Sequence, residues 1–223
     1  MTDSADAEKK KIVIVEDHPI FRSMLVHLVK KELGMTVAGE ADNIKDAITI
    51  IKETRPDVAI VDITLRGSSG LELIKDMKKQ AIPTPVIVIS MHEAGLYAER
   101  VLRAGARGYI SKSEPIAEVI AAILKVMNGG IYLGAKMTEA VLERLARAES
   151  PTEPSGIEAL ADRELEVFNL LGRGLNSRQI SEQINLGVST VESYRQRIKE
   201  KLGLKNAAAV YQRAAQWVFE RNV

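Results

Sequence analysis

The sequence predicts two folded parts: a doubly wound α/β domain with a five-stranded parallel sheet, then a small all-α domain. Three observations carry this. Strand-like and helix-like segments alternate through the first 130 residues, which favours a parallel sheet with helices on both faces. A Pro- and Ser-rich polar stretch, residues 149–156, reads as an interdomain linker. Beyond it the pattern is helical throughout.

The first half yields five strand–helix units. Lys11 to Val15 is a β-branched run, and Ile20 to Glu32 has helical spacing at Phe21, Leu25, Leu28 and Val29, with Gly34 as a stop signal. Met35 to Gly39 is a weaker strand, followed by a helix over Ile44 to Glu53. Val58 to Val61 is an apolar strand, and Leu71 to Lys79 a helix. Val86 to Ser90, the helix Leu96 to Ala104, the strand Gly108 to Ser111 and a helix from Pro115 to Met127 complete the series. Lys136 to Ala148 can form an amphipathic linker helix. The expected domains are 10–130, a linker helix and flexible linker over 131–156, and 157–223.

Composition narrows the function classes. The chain has 223 residues, 46% hydrophobic, with a net charge of +1, so contact with nucleic acid requires a local basic patch. The absence of cysteine removes disulfide frameworks and thiol catalysis, and it fits a cytoplasmic location. No apolar run is long enough to span a bilayer. The N-terminus, MTDSADAEKKK, has no apolar signal core and reads as a short disordered tail.

In a parallel sheet, sites gather at the carboxyl ends of the strands. The first strand ends in Glu16 and Asp17, the third in Asp62, the fourth in Ser90, and the fifth near Lys112. Three carboxylates, a hydroxyl and an ammonium therefore converge on one edge. Clustered carboxylates suit a hard cation such as Mg²⁺, and a carboxylate can accept a phosphoryl group as an acyl phosphate. Each group alone has a plainer reading: Asp62 and Ser90 as strand ends, Tyr109 as packing, Lys112 as a surface lysine. His18, His27 and His92 show no metal-ligand spacing. A phosphatase with an Asp nucleophile normally carries a second Asp two residues later, where this chain has Thr64. No Gly-rich phosphate loop follows the first strand. The chain therefore reads as a non-enzyme.

The motifs IVIVEDHPIFR, DVAIVDITLRGSSGLELI, PVIVISMHEAG and GARGYISKSEP resemble those of the response-regulator receiver domain of two-component signalling. The resemblance implies that Asp62 is the phosphoacceptor, with Mg²⁺ held by Glu16, Asp17, Asp62 and the backbone carbonyl of Thr64. It implies Ser90 as switch hydroxyl, Tyr109 as switch aromatic and Lys112 as the ammonium that pairs with phosphate. Arg66 stands where the family often has Pro.

In the second half, Asp162, Asn176 and Asn206 are candidate helix caps, and Asn185–Val188 is a tight turn between two helices. In the third helix, Val191, Tyr194, Ile198 and Leu202 share an inward face, opposite Glu192, Ser193, Gln196 and Glu200. Arg197 and Lys199 flank that polar face. A polar face with basic flanks suits a helix in a DNA major groove; the plain reading is a solvated helix face. The stretch LADRELEVFNLLGRGLNSRQISEQINLGVSTVESYRQRIKEKLGL is similar to the LuxR-type (NarL/FixJ) helix-turn-helix domain. The similarity implies base reading by Glu192, Ser193 and Gln196, and backbone contacts from Ser177, Ser189, Thr190, Arg195 and Lys199. Two positions depart from the family: Ala161 replaces a usual Thr cap, and Glu192 stands where many members have a non-acidic residue.

The resulting expectation is a DNA-binding transcription regulator switched by a sensor histidine kinase. It would dimerise on paired half-sites when phosphorylated, with RNA polymerase as a possible further partner. The competing expectation is a phosphorylation-independent regulator whose receiver serves as a dimerisation or protein-binding module.

Overall fold

The computed structural model describes residues 9–65, 68–91, 100–134, 138, 139, 142 and 156–221. The chain divides into two compact units, Met1–Thr138 and Glu139–Val223.

The first unit is built on a parallel sheet. Its strands are β1 (Lys11–Val15), β2 (Thr36–Ala41), β3 (Val58–Asp62), β4 (Val86–Ser90), β5 (Gly108–Ser111) and β6 (Tyr132–Leu133). Its helices are α1 (Pro19–His27), α2 (Ile44–Thr54), α3 (Gly70–Lys79) and α4 (Ile116–Met127). The spatial order is β2-β1-β3-β4-β5-β6. Six strands replace the expected five. The sixth is two residues long and pairs parallel to β5 through Gly108–Tyr132 and Tyr109–Leu133. So short an edge strand carries no periodicity for the sequence to show.

Every residue of β3 and β4 is buried, as expected where helices cover both faces of a parallel sheet. On one face Ile12, Ile14, Val58, Ile60, Ile87, Ile89 and Ile110 meet Leu25, Leu28 and Val29 from the α1 region and Val119, Ala122, Ile123 and Val126 from α4. The alternate strand residues, among them Val13, Val15, Ala59, Val61 and Val88, are buried on the other face. The helix that begins at Pro19 widens into a π-turn over Leu28–Glu32. Asn43 caps α2 by accepting from the Asp46 N–H at 3.0 Å.

The strand order reverses at β1, since β2 lies on one side of it and β3 on the other. The carboxyl ends of β1 and β3 therefore flank a switch-point crevice, where ligands bind in open α/β sheets. After β3 the chain makes a small antiparallel ladder, Thr64–Leu65 with Ser68–Ser69. It then enters α3 at Gly70, whose N–H donates to the Ile63 carbonyl at 2.7 Å. A Cβ on Gly70 would lie 2.1 Å from the Asp62 carbonyl oxygen, so only glycine permits α3 to start this close to β3.

Residues 100–104 are helical, and the rest of the helix expected from Leu96 lies outside the described residues. Most of the expected linker helix Lys136 to Ala148 lies outside them too, although Thr138, Glu139 and Leu142 are helical. The flexible linker up to residue 155, Arg66 and His92 also fall outside.

Among its described residues the second unit has helices and no strand: α5 (Asp162–Gly172), α6 (Ser177–Gln183), α7 (Val188–Lys201) and α8 (Ala207–Arg221). Its core includes Leu165, Phe168, Leu171, Ile180, Val191, Ile198 and Ala214. Phe168 and Trp217 pack with ring centroids 5.7 Å apart. Gly172 lets α5 approach α8 closely, because a Cβ there would lie 2.4 Å from the Ala214 carbonyl oxygen. The buried Glu164 carboxylate accepts from the Ala161 N–H at 2.7 Å and pairs with Lys201 at 2.6 Å, tying the start of α5 to the end of α7. Arg163 pairs with Glu166 at 2.5 Å. These contacts account for three of the charged residues in the motif that begins α5. Asp162 is the first helical residue rather than the cap. Ala161 holds the cap position in extended conformation, with no side-chain oxygen to offer. Asn176 and Asn206 cap α6 and α8, accepting from Gln179 and Ala209.

Two stability predictions follow from these caps and close approaches. Ala161→Thr should supply the missing acceptor and raise the stability of the C-terminal unit by about 1 kcal/mol, read from thermal or urea unfolding. Gly70→Ala should destabilise the first unit by roughly 1–3 kcal/mol, because the new methyl group meets fixed backbone; an unchanged melting temperature would contradict the close approach.

Candidate functional site

Asp62 is the last residue of β3 and is 2% exposed. Its Oδ2 lies 2.8 Å from Lys112 Nζ, and the same ammonium lies 2.7 Å from Glu16 Oε2. Lys112 is itself nearly buried. It follows β5 directly, and its backbone N–H donates to the Ser90 carbonyl at 2.7 Å, which fixes the loop that carries it. Its Nζ sits 4.5 Å from the centroid of the Phe21 ring, a cation–π contact from α1.

Asp17 is 4% exposed, and His18 joins both acids. His18 Nδ1 lies 3.0 Å from Glu16 Oε1 and 2.9 Å from Asp17 Oδ1, and the His18 N–H donates to Glu16 Oε1 at 3.0 Å. Ligand atoms of Glu16, Asp17, His18 and Asp62 all fall within 4.8 Å of one another. The expectation gave His18 no place here. The signal for it is its position directly after the acidic pair, which spacing among the three histidines does not carry. Phe21 enters the sequence pattern only through helical spacing, and the structure adds its ring face to the site.

Three carboxylates around one ammonium leave the crevice with excess negative charge. Burial raises the Asp62 carboxyl pKa, the Glu16 charge raises it further, and Lys112 opposes both; the result is a carboxyl pushed up to about 7. The Thr64 backbone N–H helps to hold the ionised form. Glu16 Oε2, buried beside Lys112, accepts no well-aligned hydrogen bond among the described residues. A donor set made mostly of carboxylate oxygens, with surplus charge and a buried carboxylate oxygen short of a hydrogen bond, fits a hard divalent cation.

The remaining residues of the first site fall as follows. Ser90 ends β4, fully buried, with its backbone opposite Ser111. Tyr109 is 1% exposed on β5, opposite Val88, so its ring is part of the packed interior. Thr64 is half-buried and pairs with Ser69.

The second unit sets α6 and α7 around the turn at Asn185–Gly187, with Asn185 at a left-handed φ of 51°. On α7, Val191 and Ile198 are buried, while Ser189, Thr190, Glu192, Ser193, Gln196 and Arg197 are exposed. The Ser193 hydroxyl donates to the Ser189 carbonyl at 2.9 Å, and Gln196 Nε2 donates to Glu200 at 2.6 Å. Lys199 is half-buried. Ser177 is buried at the start of α6, its hydroxyl accepting from Arg195 Nη1 at 2.7 Å.

Comparison with known proteins matches each unit to a family. Residues 12–124 match the response regulator receiver domain, and residues 158–214 match the bacterial regulatory proteins of the luxR family. BvgA of Bordetella pertussis is 34% identical over 193 residues, covering 86% of this chain and 90% of BvgA. The response regulator UvrY of Escherichia coli is 30% identical over 193 residues, covering 86% of this chain and 88% of UvrY. RcsB from Salmonella enterica serovar Typhimurium, solved on promoter rprA with the phosphomimetic BeF3-, shares the fold at 20% identity. It has a TM-score of 0.59 and covers 93% of this chain and 98% of its own. A receiver domain followed by a LuxR-type helix-turn-helix domain places this chain among the two-component transcriptional response regulators of the NarL/FixJ family.

Proposed function

We propose that the chain is a transcription regulator switched by phosphoryl transfer from a sensor histidine kinase to Asp62. One observation carries this reading: a buried strand-end carboxylate in direct contact with a buried ammonium, at the switch point of a parallel sheet.

An Asp62 carboxylate oxygen attacks the phosphorus of a phosphohistidine. The P–O bond forms as the P–N bond breaks, and the imidazole leaves with the electron pair and takes up a proton. Lys112 moves from its ion pair with Asp62 to a phosphoryl oxygen, and the Ser90 hydroxyl donates to another. Glu16, Asp17, Asp62 and the Thr64 carbonyl would hold Mg²⁺, which when bound neutralises charge on the phosphoryl oxygens. Loss of the Asp62–Lys112 pair relaxes the ends of β4 and β5, and Tyr109 follows from its place in β5. In the second unit, α7 lies in the major groove with Glu192, Ser193 and Gln196 toward the bases. Ser189, Thr190 and Lys199 meet phosphates. Paired half-sites would be bound by a homodimer, and the bound dimer acts on RNA polymerase. No helix among the described residues is long and apolar enough to cross a membrane, which fits the cytoplasmic location proposed here.

Incubation with Mg²⁺ and a small acyl phosphate should add one phosphoryl group to the wild type, read by intact-mass analysis, and none to Asp62→Asn. The absence of an adduct on the wild type with any donor would favour a receiver that works without phosphorylation. The charge balance makes a separate prediction. The folded-state pKa of Asp62 lies above its ordinary 3.8, so its ionisation lowers stability as pH rises from there to about 7. Asp62→Asn should therefore melt higher than wild type without metal at pH 8, with a smaller difference at pH 5. Added Mg²⁺ should raise the wild-type melting temperature more than that of the variant.

A further inference from the structure

Arg195 stands on the recognition helix α7, yet its side chain is only 17% exposed. Its Nη1 donates to Ser177 Oγ on α6 at 2.7 Å and to Glu192 Oε1 one turn earlier on α7 at 2.6 Å. Its guanidinium carbon lies 5.1 Å from the ring centroid of Tyr211 on α8. Groups from three helices thus fix one cation. The ring and the buried hydroxyl hold it in place, and the carboxylate it holds in turn is half exposed. Glu192 Oε2 makes no bond among the described residues, so it remains a hydrogen-bond acceptor toward solvent.

A carboxylate on a groove-facing helix is repelled by DNA phosphates unless a cation offsets it. A long, exposed Glu side chain also loses rotamer freedom when it engages a base. Arg195 relieves both costs, because it neutralises Glu192 and fixes its rotamer before DNA arrives. The other cations of α7 are placed differently: Arg197 is exposed, Lys199 is half-buried, and Lys201 pairs with Glu164 at the start of α5.

We infer that Arg195 is a positioning residue rather than a phosphate contact, and that the Arg195–Glu192 pair makes this helix select cytosine through its N4 amine at one operator position. This replaces the backbone contact expected for Arg195 from the sequence. It rests on the reading of α7 as the base-reading helix and adds the base class that its acidic residue takes. Cytosine N4 is the donor that Glu accepts from in the major groove.

The test is selection of binding sites from a random-sequence duplex library by the purified full-length protein, incubated with Mg²⁺ and an acyl phosphate. Salt titrations on the winning duplex follow. Wild type should enrich cytosine at one position in each half-site, and Glu192→Ala should lose that preference by roughly tenfold. Arg195→Ala should lose the same preference while keeping preferences elsewhere and the salt slope. Arg195→Lys, which keeps a cation beside Glu192, should restore part of it. The double variant Glu192→Ala/Arg195→Ala should lose no more discrimination than either single one. The inference is overturned if Arg195→Ala keeps the cytosine preference while its salt slope falls by about one, the signature of a lost phosphate contact. Where Arg195→Ala fails to fold, Ser177→Ala carries the test: it removes one anchor, and an undiminished cytosine preference would overturn the assignment. If wild type enriches no sequence at all, the base-reading function of α7 falls first and this inference with it. If wild type enriches a motif in which Glu192 and Arg195 variants change nothing, only this inference falls.

Discussion

Two carboxylates, Glu16 and Asp62, share one ammonium at the carboxyl edge of the sheet with a third, Asp17, close by, and much of the first unit serves to keep them there. β1 and β3 are paired directly, so Glu16, Asp17 and Asp62 cannot separate without breaking the sheet. Lys112 reaches them from the far side because β5 ends in register with β4, and the Ser90 carbonyl fixes its backbone. Phe21 covers the ammonium from α1. Like charges held this close are costly in a buried crevice, and a single lysine does not balance them. That imbalance makes the site receptive to a cation and responsive to a new anion. In the proposed switch, a rigid, well-paired scaffold would convert a local change of charge into displacement of strand ends.

The placement of these groups was legible in the sequence because strands buried on both faces are near-continuous apolar runs. Where each run stops at a polar residue, that residue lies at the sheet edge. Glu16, Asp62, Ser90 and Lys112 were found in this way. His18 and Phe21 were not, for a physical reason: both lie at the start of α1, and periodicity places a side chain on a helix face without saying which strand end the helix begins beside. The sixth strand was missed because two residues carry no pattern. The shift from Asp162 to Ala161 at the cap of α5 follows the usual uncertainty of a helix start, resolved here by Glu164 reaching back to the Ala161 N–H.

In the second unit the inward face of α7 was legible from helical spacing, and Val191 and Ile198 are fully buried as that spacing requires. The polar face was legible only as a set of candidates. Sequence shows which residues point outward but not which are already engaged with one another. Arg195 and Ser177, 18 positions apart, meet because α6 and α7 cross at the turn, and Tyr211 arrives from a third helix. Two side chains that read as separate DNA contacts in the sequence thus form one internal assembly.

The pairing of Phe168 with Trp217 has a practical consequence. Trp217 is the chain's only tryptophan, and it is almost fully buried in the core of the helix-turn-helix unit. The receiver contains none. Selective excitation of indole emission therefore follows the folding of the C-terminal unit alone, in the intact chain and without a label. Set beside circular dichroism, which sees both units, it separates their unfolding transitions and shows whether an event at Asp62 alters the cohesion of the helices that carry the DNA-reading face.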